Sequence, residues 1–273
     1  LAAFAALDLS GITFELIVVD NGSRDDTADV ARQFVGSAPF PVRYVHEAAP
    51  GISKARNAGI AAARGDFLLM TDDDCFVRRD WAQAAVAILK ADPMQVIGGR
   101  VELYDSSHIE VTTKTSLTRE VLSEPALVRG FVHGANLCMS RKVVERIGLF
   151  DTRLGGGGLY MSAEDMDLTY RAAVSGIPVV YEPGVVVQHN HGRKSWDVWY
   201  KLMHGYAIGA GATTMKHLLQ GRTHLVKALY WELATILRRQ RGPRALATHL
   251  RLWLAMIEGA LRFLAVGRRL PGD

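Results

Sequence analysis

The N-terminal part of the sequence alternates short apolar runs with stretches of helical spacing. The apolar runs are residues 14–20, 42–47, 66–70 and 96–101, and the helical stretches between them are 25–34, 53–65 and 81–91. This alternation predicts a parallel α/β sheet covered by helices on both faces. Ligands of such sheets bind at the carboxyl ends of the strands, where Asp20 and the run Asp72 to Asp74 lie.

Three consecutive aspartates end one of these runs, in the sequence GDFLLMTDDDC at residues 65–75. Like charges ~4 Å apart repel by about 1 kcal/mol even in water, so the cluster needs a cation or full solvation. Side chains alternate along an extended chain, which places Asp72 and Asp74 on one side and Asp73 on the other. Two such carboxylates suit Mg²⁺ or Mn²⁺. The alternative is a solvated acidic turn.

The rest of this region has fewer clear elements. Residues 105–130 are polar and weakly patterned, which indicates a long connection. GANLCMS at 134–140 predicts a strand, and RKVVERIG at 141–148 a short helix. A glycine run at 155–158 precedes a helix for which Ser162 is the expected N-cap, and two short strands are expected around Pro183 and Gly184.

The charge distribution divides the chain. Residues 194–273 carry 13 Lys and Arg against 4 Asp and Glu, whereas residues 1–193 carry 19 against 24. The basic part is helical in spacing, and it combines wide apolar stripes with an arginine cluster and tryptophans: Arg238, Arg239, Arg241, Arg244, Trp231 and Trp253. This pattern favours a helix in a membrane interface over nucleic-acid binding. A helix packed on the protein's own core or at a dimer interface is the alternative.

Cysteine usage indicates a reducing compartment. The two cysteines, Cys75 and Cys138, are far apart and have no metal-ligand spacing. No disulfide framework is therefore expected, and the cytosol is the default location.

Five motifs, in order and in register, resemble a glycosyltransferase of family 2. They are IVVDNGSRDDT, PGISKARNAGIAAARGDFLLMTDDDC, GANLCMSR, FDTRLGGGGLYMSAEDMDLTYRA and VVVQHNHGRKS, and they span roughly residues 14–195. The resemblance implies the GT-A fold, a Rossmann-like mixed sheet with helices on both faces. We expect a GT-A catalytic domain at 1–193, lacking the first strand of the family, and a basic, amphipathic helical extension at 194–273.

The resemblance also assigns donor-binding residues. Asp20 would accept the N–H of the nucleotide base, although it could equally form an Asx-turn. Arg56 and Asn57 would face the nucleotide; the alternative is a solvated helix face. Asp72 would contact the ribose and Asp74 would bind the metal, together forming the DxD element of the family. Asp73 is included among the donor-binding candidates.

The catalytic candidates are the adjacent acids Glu164 and Asp165. The resemblance makes Asp165 the general base that an inverting transfer requires, and Glu164 would position the acceptor or pair with a cation. Two acids at a helix N-terminus can also simply be favourable partners of the helix dipole. The preceding glycine run favours catalysis, because glycine lets backbone approach a sugar closely.

The motif VVVQHNHGRKS supplies the remaining candidates. His189 would complete the metal site, and His191, Arg193 and Lys194 would lie near the phosphates. The alternative is that these histidines are ordinary solvent-exposed side chains. Gly134 and Asn136 are expected to line a sugar pocket.

Together these features predict a metal-dependent inverting enzyme that uses Mn²⁺ or Mg²⁺. It would move a sugar from a UDP- or GDP-sugar to the hydroxyl of a glycan or lipid-linked acceptor, in cell-envelope glycan or glycolipid synthesis. It would be cytoplasmic and peripheral at the inner face of the membrane. The alternatives are a sugar nucleotidyltransferase and a catalytically idle nucleotide-binding or membrane-scaffold module. The sugar, the base and the oligomeric state are left open.

Overall fold

A computed structural model describes residues 1–122, 124–227, 229, 233–234 and 243–267. The chain divides into two compact units. The first contains residues 1–152 and 164–194, and the second contains residues 153–163 and the chain from Ser195 onward. Whether the two units are separate functional domains, as the sequence predicts for 1–193 and 194–273, stays a prediction.

The first unit alternates strands and helices. Its strands are β1 Leu16–Asp20, β2 Val42–His46, β3 Phe67–Thr71, β4 Cys75–Val77, β5 Val96–Leu103, β6 Glu120–Val121, β7 Asn136–Ser140 and β8 Val179–His189. Its helices are α1 Ala2–Ala5, α2 Thr27–Ser37, α3 Ile52–Ala62, α4 Trp81–Ala91, α5 Arg141–Ile147 and α6 Glu164–Val174. The strands and helices expected in the first hundred or so residues are therefore present.

The strands form two sheets. β1 and β2 make a parallel pair, and a six-stranded sheet has the order β3-β7-β5-β8-β4 with β6 also paired to β8. The larger sheet is mixed, which confirms the mixed sheet implied by the resemblance. The expectation of a parallel sheet is wrong for β7, which runs antiparallel to both β3 and β5. No crossover helix lies between β5 and β7 in the described residues, so nothing forces these strands to be parallel.

Both faces of the six-stranded sheet are buried. Consecutive residues of a strand belong to different apolar clusters. In β5, Val96 packs on one side of the sheet and Ile97 on the other; in β7, Leu137 packs on the same side as Val96, and Cys138 on the same side as Ile97. Side chains alternate across a strand, so helices on both faces are needed to cover them. Asp72 to Asp74 follow β3 of this sheet, whereas Asp20 ends β1 of the two-stranded sheet. Cys75 and Cys138 are both free and buried.

β8 is one continuous strand, which corrects the expectation of two short strands around Pro183 and Gly184. A register shift between Gly99 and Arg100 of β5 accommodates the extra residues of β8. The amide of Asn136 spans this irregularity and donates to the carbonyl oxygens of Arg100 and Val185, at 3.0 and 2.9 Å. The Nε1–H of Trp81 donates to its oxygen. Asn136 is fully buried, so its expected place in a sugar pocket is wrong.

The second unit contains α7 Trp196–Leu219, α8 Pro243–Arg262 and a π-helical turn Phe263–Gly267. α7 and α8 pack backbone to backbone: a Cβ at Gly211 would lie 1.7 Å from the Met256 carbonyl oxygen, and one at Gly259 would lie 2.0 Å from that of Ile208. Ser162 is not the N-cap expected from the sequence, because its hydroxyl donates to the Gly205 carbonyl and α6 begins at Glu164.

Among the described residues, none of the helices combines the length and apolar character needed to cross a bilayer. Trp231, Arg238, Arg239 and Arg241 of the basic cluster lie outside the described residues, as does the side chain of Arg244.

Candidate active site

Arg56 of α3 lies between two carboxylates. Its Nη1 donates to Glu164 Oε1 at 2.7 Å, and its Nη2 donates to Asp72 Oδ1 at 3.0 Å. The Arg56 side chain is 9% exposed and that of Glu164 is 11% exposed, so this ion pair is largely shielded from water. The arginine thereby connects the acid that follows β3 with the acid that begins α6.

Gly134 makes this arrangement possible. A Cβ at this position would lie 2.5 Å from Nη2 of Arg56, closer than any side chain tolerates. The guanidinium therefore lies directly against the backbone at Gly134. The N–H of the same residue donates to Asp165 Oδ2 at 2.9 Å. A single glycine thus places the arginine and the second acid of α6 side by side.

Glu164 and Asp165 have raised pKa values. For both groups, burial is the main cause, since it disfavours the charged form. The charge of Asp165 raises the pKa of Glu164 further, while the positive charge of Arg56 opposes the shift in both. The N–H groups of Gly134 and Met166 also hold the Asp165 carboxylate, the latter at 2.7 Å. This pair is consequently closer to a proton-accepting pKa than an ordinary surface carboxylate.

Asp74 and His189 meet at the edge of the six-stranded sheet. β4 pairs with β8 in a register that places Cys75 opposite His189, and His189 Nε2 lies 3.1 Å from Asp74 Oδ1. Burial raises the pKa of Asp74, but the hydrogen bond and charge of His189 and the charge of Arg193 outweigh it, so the net shift is downward. Within the described residues, Asp74, Cys75 and His189 offer ligand atoms within 4.8 Å of one another.

The oxygen of Asp74 and the nitrogen of His189 fit a divalent cation of the Mn²⁺ type, whereas burial raises the pKa of Cys75 to about 12 and keeps its thiol protonated. A carboxylate oxygen suits Mg²⁺ and Mn²⁺ equally, whereas an imidazole nitrogen is a ligand of transition metals. Asp72 is outside this group of three and bonds to Arg56 instead.

A second layer of polar residues lies behind His189. Thr112 Oγ1 is 3.3 Å from His189 Nδ1, and Arg193 Nη1 donates to the same oxygen at 3.3 Å. The ring of His191 is 5.2 Å from that of His189, and its Nδ1 accepts the N–H of Arg193 at 3.1 Å. Burial and the charge of Arg193 lower the pKa of His191. Sequence analysis missed Thr112, because the weakly patterned connection that contains it gives no signal.

Asp20 ends β1 and accepts one hydrogen bond at each of its carboxylate oxygens. Tyr44 Oη donates to Oδ2 at 2.7 Å, and the Ser23 N–H donates to Oδ1 at 2.8 Å. These hydrogen bonds, with that of Tyr44 the largest, hold the pKa of Asp20 far below its usual range despite its burial. Asp20 therefore stays ionised under all ordinary conditions.

Comparison with known proteins identifies the family. The family model for glycosyl transferase family 2 matches residues 3–148, more than half of the chain. The chain belongs to glycosyltransferase family 2. A glycosyltransferase of Haloferax volcanii, AglE, is 29% identical over 177 residues, which cover 64% of this chain and 56% of that protein. The pre-mycofactocin glycosyltransferase of Mycobacterium tuberculosis is 26% identical and covers 74% of this chain and 43% of that protein.

The fold is that of GT-A glycosyltransferases. A mannosyltransferase from Pyrobaculum calidifontis, solved with GDP-Man and Mn²⁺, aligns with a TM-score of 0.55 and 19% identity over 94% of this chain and 67% of that one. Staphylococcus aureus TarS 1-349 with UDP-GlcNAc aligns with a TM-score of 0.52 and 16% identity over 98% of this chain and 86% of that one. The family 2 chain spans about half the length of the curated relatives it matches.

The remaining predicted donor-binding residues are Asn57, Asp73 and Lys194. The side-chain amide of Asn57 accepts the N–H of Phe150 at 3.0 Å and donates to the Phe150 carbonyl oxygen at 2.9 Å. Asp73 and Lys194 are exposed. His133, which precedes Gly134 and was not singled out from the sequence, has its pKa lowered to about 4 by burial. It is therefore a neutral imidazole at neutral pH.

Proposed function

We propose that this family 2 protein transfers a sugar, with inversion, from a UDP- or GDP-sugar to an acceptor hydroxyl. The observation that carries the proposal is the linked set of Asp72, Arg56, Glu164 and Asp165. Two of its acids have raised pKa values, and one arginine joins them to the strand end where donors bind in α/β sheets. A role in cell-envelope glycan or glycolipid synthesis is part of the same proposal.

Asp165 acts as the general base. An inverting transfer needs a carboxylate that removes the proton of the acceptor hydroxyl as its oxygen attacks the anomeric carbon. The raised pKa of Asp165 brings its basicity closer to that task, and the N–H groups of Gly134 and Met166 fix its orientation. Glu164, of the two roles expected for it, makes the ion pair with Arg56.

The donor is held by residues on strand ends and on α3. Asp20 is a permanent anion suited to accept the N–H of a nucleotide base. Asp72 lies near the ribose and Arg56 near the diphosphate, with Asn57 and Asp73 beside them. Arg193, Lys194 and His191 supply positive charge and N–H donors for the phosphates.

Asp74 and His189 would hold a divalent cation, with Asp72 on the donor side of the site. When bound, such a cation neutralises negative charge on the departing nucleotide diphosphate. The imidazole in this set favours Mn²⁺ over Mg²⁺. The half-buried carboxylate of Asp74 is already ionised at neutral pH, so it is ready to bind a cation without losing a proton.

The decisive experiment is a thermal-shift screen of nucleotide sugars with and without Mn²⁺, followed by a transfer assay with the best donor. We expect one UDP- or GDP-sugar to raise the melting temperature only when Mn²⁺ is present, and Asp74→Ala to abolish that response. Asp66→Asn, at an exposed aspartate before β3, is the matched control. A response that persists in excess chelator would contradict the metal assignment, and donor binding without transfer would favour the idle module.

We further propose that the second unit attaches the protein to the inner face of a membrane, which makes the enzyme cytoplasmic and peripheral. On α8, the exposed residues Leu254 and Leu261 lie between the exposed Arg251 and Arg262. Trp196, at the start of α7, is 71% exposed. Apolar side chains beside arginines are suited to the interface of an anionic bilayer.

Flotation of the full chain with vesicles that contain an anionic phospholipid tests this attachment. Wild-type protein should float at low salt and less at high salt, and Leu254→Glu combined with Leu261→Glu should abolish flotation. Leu117→Glu, at a 77% exposed leucine of the first unit, should float like the wild type. Failure of the wild type to float would favour a helix packed within the protein or between copies.

A further inference from the structure

Thr112 has a backbone conformation that β-branched residues avoid. Its φ is +56°, and it is the only β-branched residue with a positive φ among the described residues. Such outliers persist where the surrounding contacts hold them, and they concentrate at functional sites. The hydroxyl group of Thr112 has three polar neighbours, which are Val111, His189 and Arg193.

The hydroxyl of Thr112 donates its proton to a single acceptor. Its Oγ1 donates to the Val111 carbonyl oxygen at 2.6 Å, which uses its single proton. The same oxygen then acts as an acceptor for Nη1 of Arg193 and lies 3.3 Å from Nδ1 of His189. Since Thr112 has no second proton to give, the hydrogen bond to His189 requires a proton on Nδ1 of the imidazole.

We infer that Thr112 is a positioning residue that fixes the tautomer and ring orientation of His189. With its Nδ1–H directed at Thr112, the other nitrogen, Nε2, faces Asp74 at 3.1 Å from Oδ1. That nitrogen is then the one that a cation shared with Asp74 would use. Histidines that bind metals usually donate their second ring N–H to an oxygen in this way, and loss of such a partner typically weakens metal binding by 10- to 100-fold.

The side chain of Arg193 strengthens the same arrangement. A guanidinium can only donate, so Oγ1 of Thr112 is the acceptor in its hydrogen bond with Arg193. The proton of the Thr112 hydroxyl therefore does not point toward Arg193. The backbone of the two segments is also joined, because the Ile109 N–H donates to the Arg193 carbonyl at 2.8 Å. The connection after β5 is thus tied to the segment that follows β8 at two places, through Ile109 and through Thr112 itself.

Binding of Mn²⁺ alone, followed by the loss of the free-ion EPR signal, tests this inference, which rests on the metal site of the proposed function. Thr112→Val keeps the β-branched shape but removes the acceptor, and it should weaken Mn²⁺ binding by about 10-fold or more. Thr112→Ser keeps the hydroxyl and should stay within about threefold of the wild type. Thr115→Val, at an exposed threonine of the same connection, is the matched control.

His189→Gln separates this inference from the proposed function. If His189→Gln weakens Mn²⁺ binding but Thr112→Val does not, the role of Thr112 is refuted and the metal site stands. If neither substitution changes Mn²⁺ binding, both the metal site and the role of Thr112 are refuted. A lower melting temperature of Thr112→Val with unchanged Mn²⁺ affinity would likewise reduce Thr112 to a structural residue.

The tautomer itself can be observed without any variant of Thr112. In wild-type protein with ¹⁵N-labelled histidine, at about pH 8.5, where imidazoles are ordinarily neutral, two-bond ¹⁵N–¹H correlations report which ring nitrogen carries the proton. The signal of His189, assigned by its absence in His189→Gln, should show the proton on Nδ1. A proton on Nε2 would overturn the inference directly.

Discussion

Asp20 and Asp165 are both aspartates of the first unit, yet their surroundings shift their pKa values in opposite directions. Asp20 receives hydrogen bonds from Tyr44 and Ser23, and its pKa falls far below normal. Asp165 receives two backbone N–H bonds, but it is buried beside Glu164 and Asp72, and its pKa rises. Burial is the largest cause at Asp165, whereas hydrogen bonds outweigh it at Asp20, so the balance between desolvation and hydrogen bonding decides the direction of each shift.

The difference divides the site into two kinds of carboxylate. An aspartate with a strongly lowered pKa is a permanent acceptor, suited to recognise an N–H of a ligand. One with a raised pKa takes up a proton more readily than an ordinary aspartate does. The comparison supports binding at the end of β1 and proton transfer at the start of α6.

The largest expected effect is that of Asp165→Asn. The amide keeps the shape and the hydrogen bond from Gly134 but cannot take a proton, so transfer should fall by about 100-fold or more while donor affinity is kept. Rates of sugar transfer and a donor titration measure the two properties. Turnover close to that of the wild type would remove Asp165 from the role of base and end the contrast with Asp20.

Arg56→Met should have the next largest effect. It leaves Glu164 and Asp165 buried without their counter-ion, so the free energy of unfolding should fall by about 3 kcal/mol. Adding Glu164→Gln to this variant should restore part of the loss, because one uncompensated charge disappears. Arg78→Met, which breaks an ion pair with the exposed Asp80, should cost less than about 1 kcal/mol. If denaturant unfolding showed equal losses of free energy for Arg56→Met and Arg78→Met, the ion pairs of Arg56 would be no more shielded from water than a surface pair.

Asp165→Asn should also change how stability depends on pH. A raised pKa means that the folded state binds more protons than the unfolded state above the ordinary value of 3.8. The wild type therefore loses stability as pH rises from 3.8 through the folded-state pKa, and Asp165→Asn removes that loss. Thermal unfolding across that pH range should therefore show the stability of the variant rising relative to that of the wild type as pH rises. A constant difference would mean that Asp165 has an ordinary pKa.

The smallest effect belongs to Tyr44→Phe, with the opposite sign of pH dependence. A lowered pKa stabilises the fold above the unfolded value of 3.8, and this stabilisation is lost as pH falls through the folded-state pKa. Tyr44→Phe should thus be less stable than the wild type at neutral pH and approach it in strong acid. The aromatic ring that packs against Arg32 is retained in this variant. A difference that persists in acid would indicate lost packing rather than lost support for Asp20.

Much of the candidate site was foreseeable because its residues lie in local motifs. The runs that end in Asp20 and in Asp72 to Asp74 place these acids at strand ends through alternation of strands and helices alone. The pairing of Asp74 with His189 was expected only from the family resemblance, and the register of β4 with β8 supplies its geometry. Whether Asp20, Asn57 and Asp73 contact a donor stays a prediction.

Other features depend on contacts between distant residues and have no local signal. The link from Arg56 to Glu164 joins residues 108 positions apart. Asn136 was expected at a ligand, but a register shift in β5 uses its amide in the core. Thr112 lies in a segment without periodicity, and only its position next to His189 gives it a role.

The sequence by itself determined the alternation of the main strands and helices in the first hundred residues, the family and the acidic strand ends, because these follow from local periodicity and contiguous motifs. Tertiary structure decided which carboxylates share a neighbour, which stay ionised and which strands run antiparallel. The physical reason is that hydrogen bonds and charges act over a few ångströms in space, whereas the residues that supply them are spread over most of the first unit.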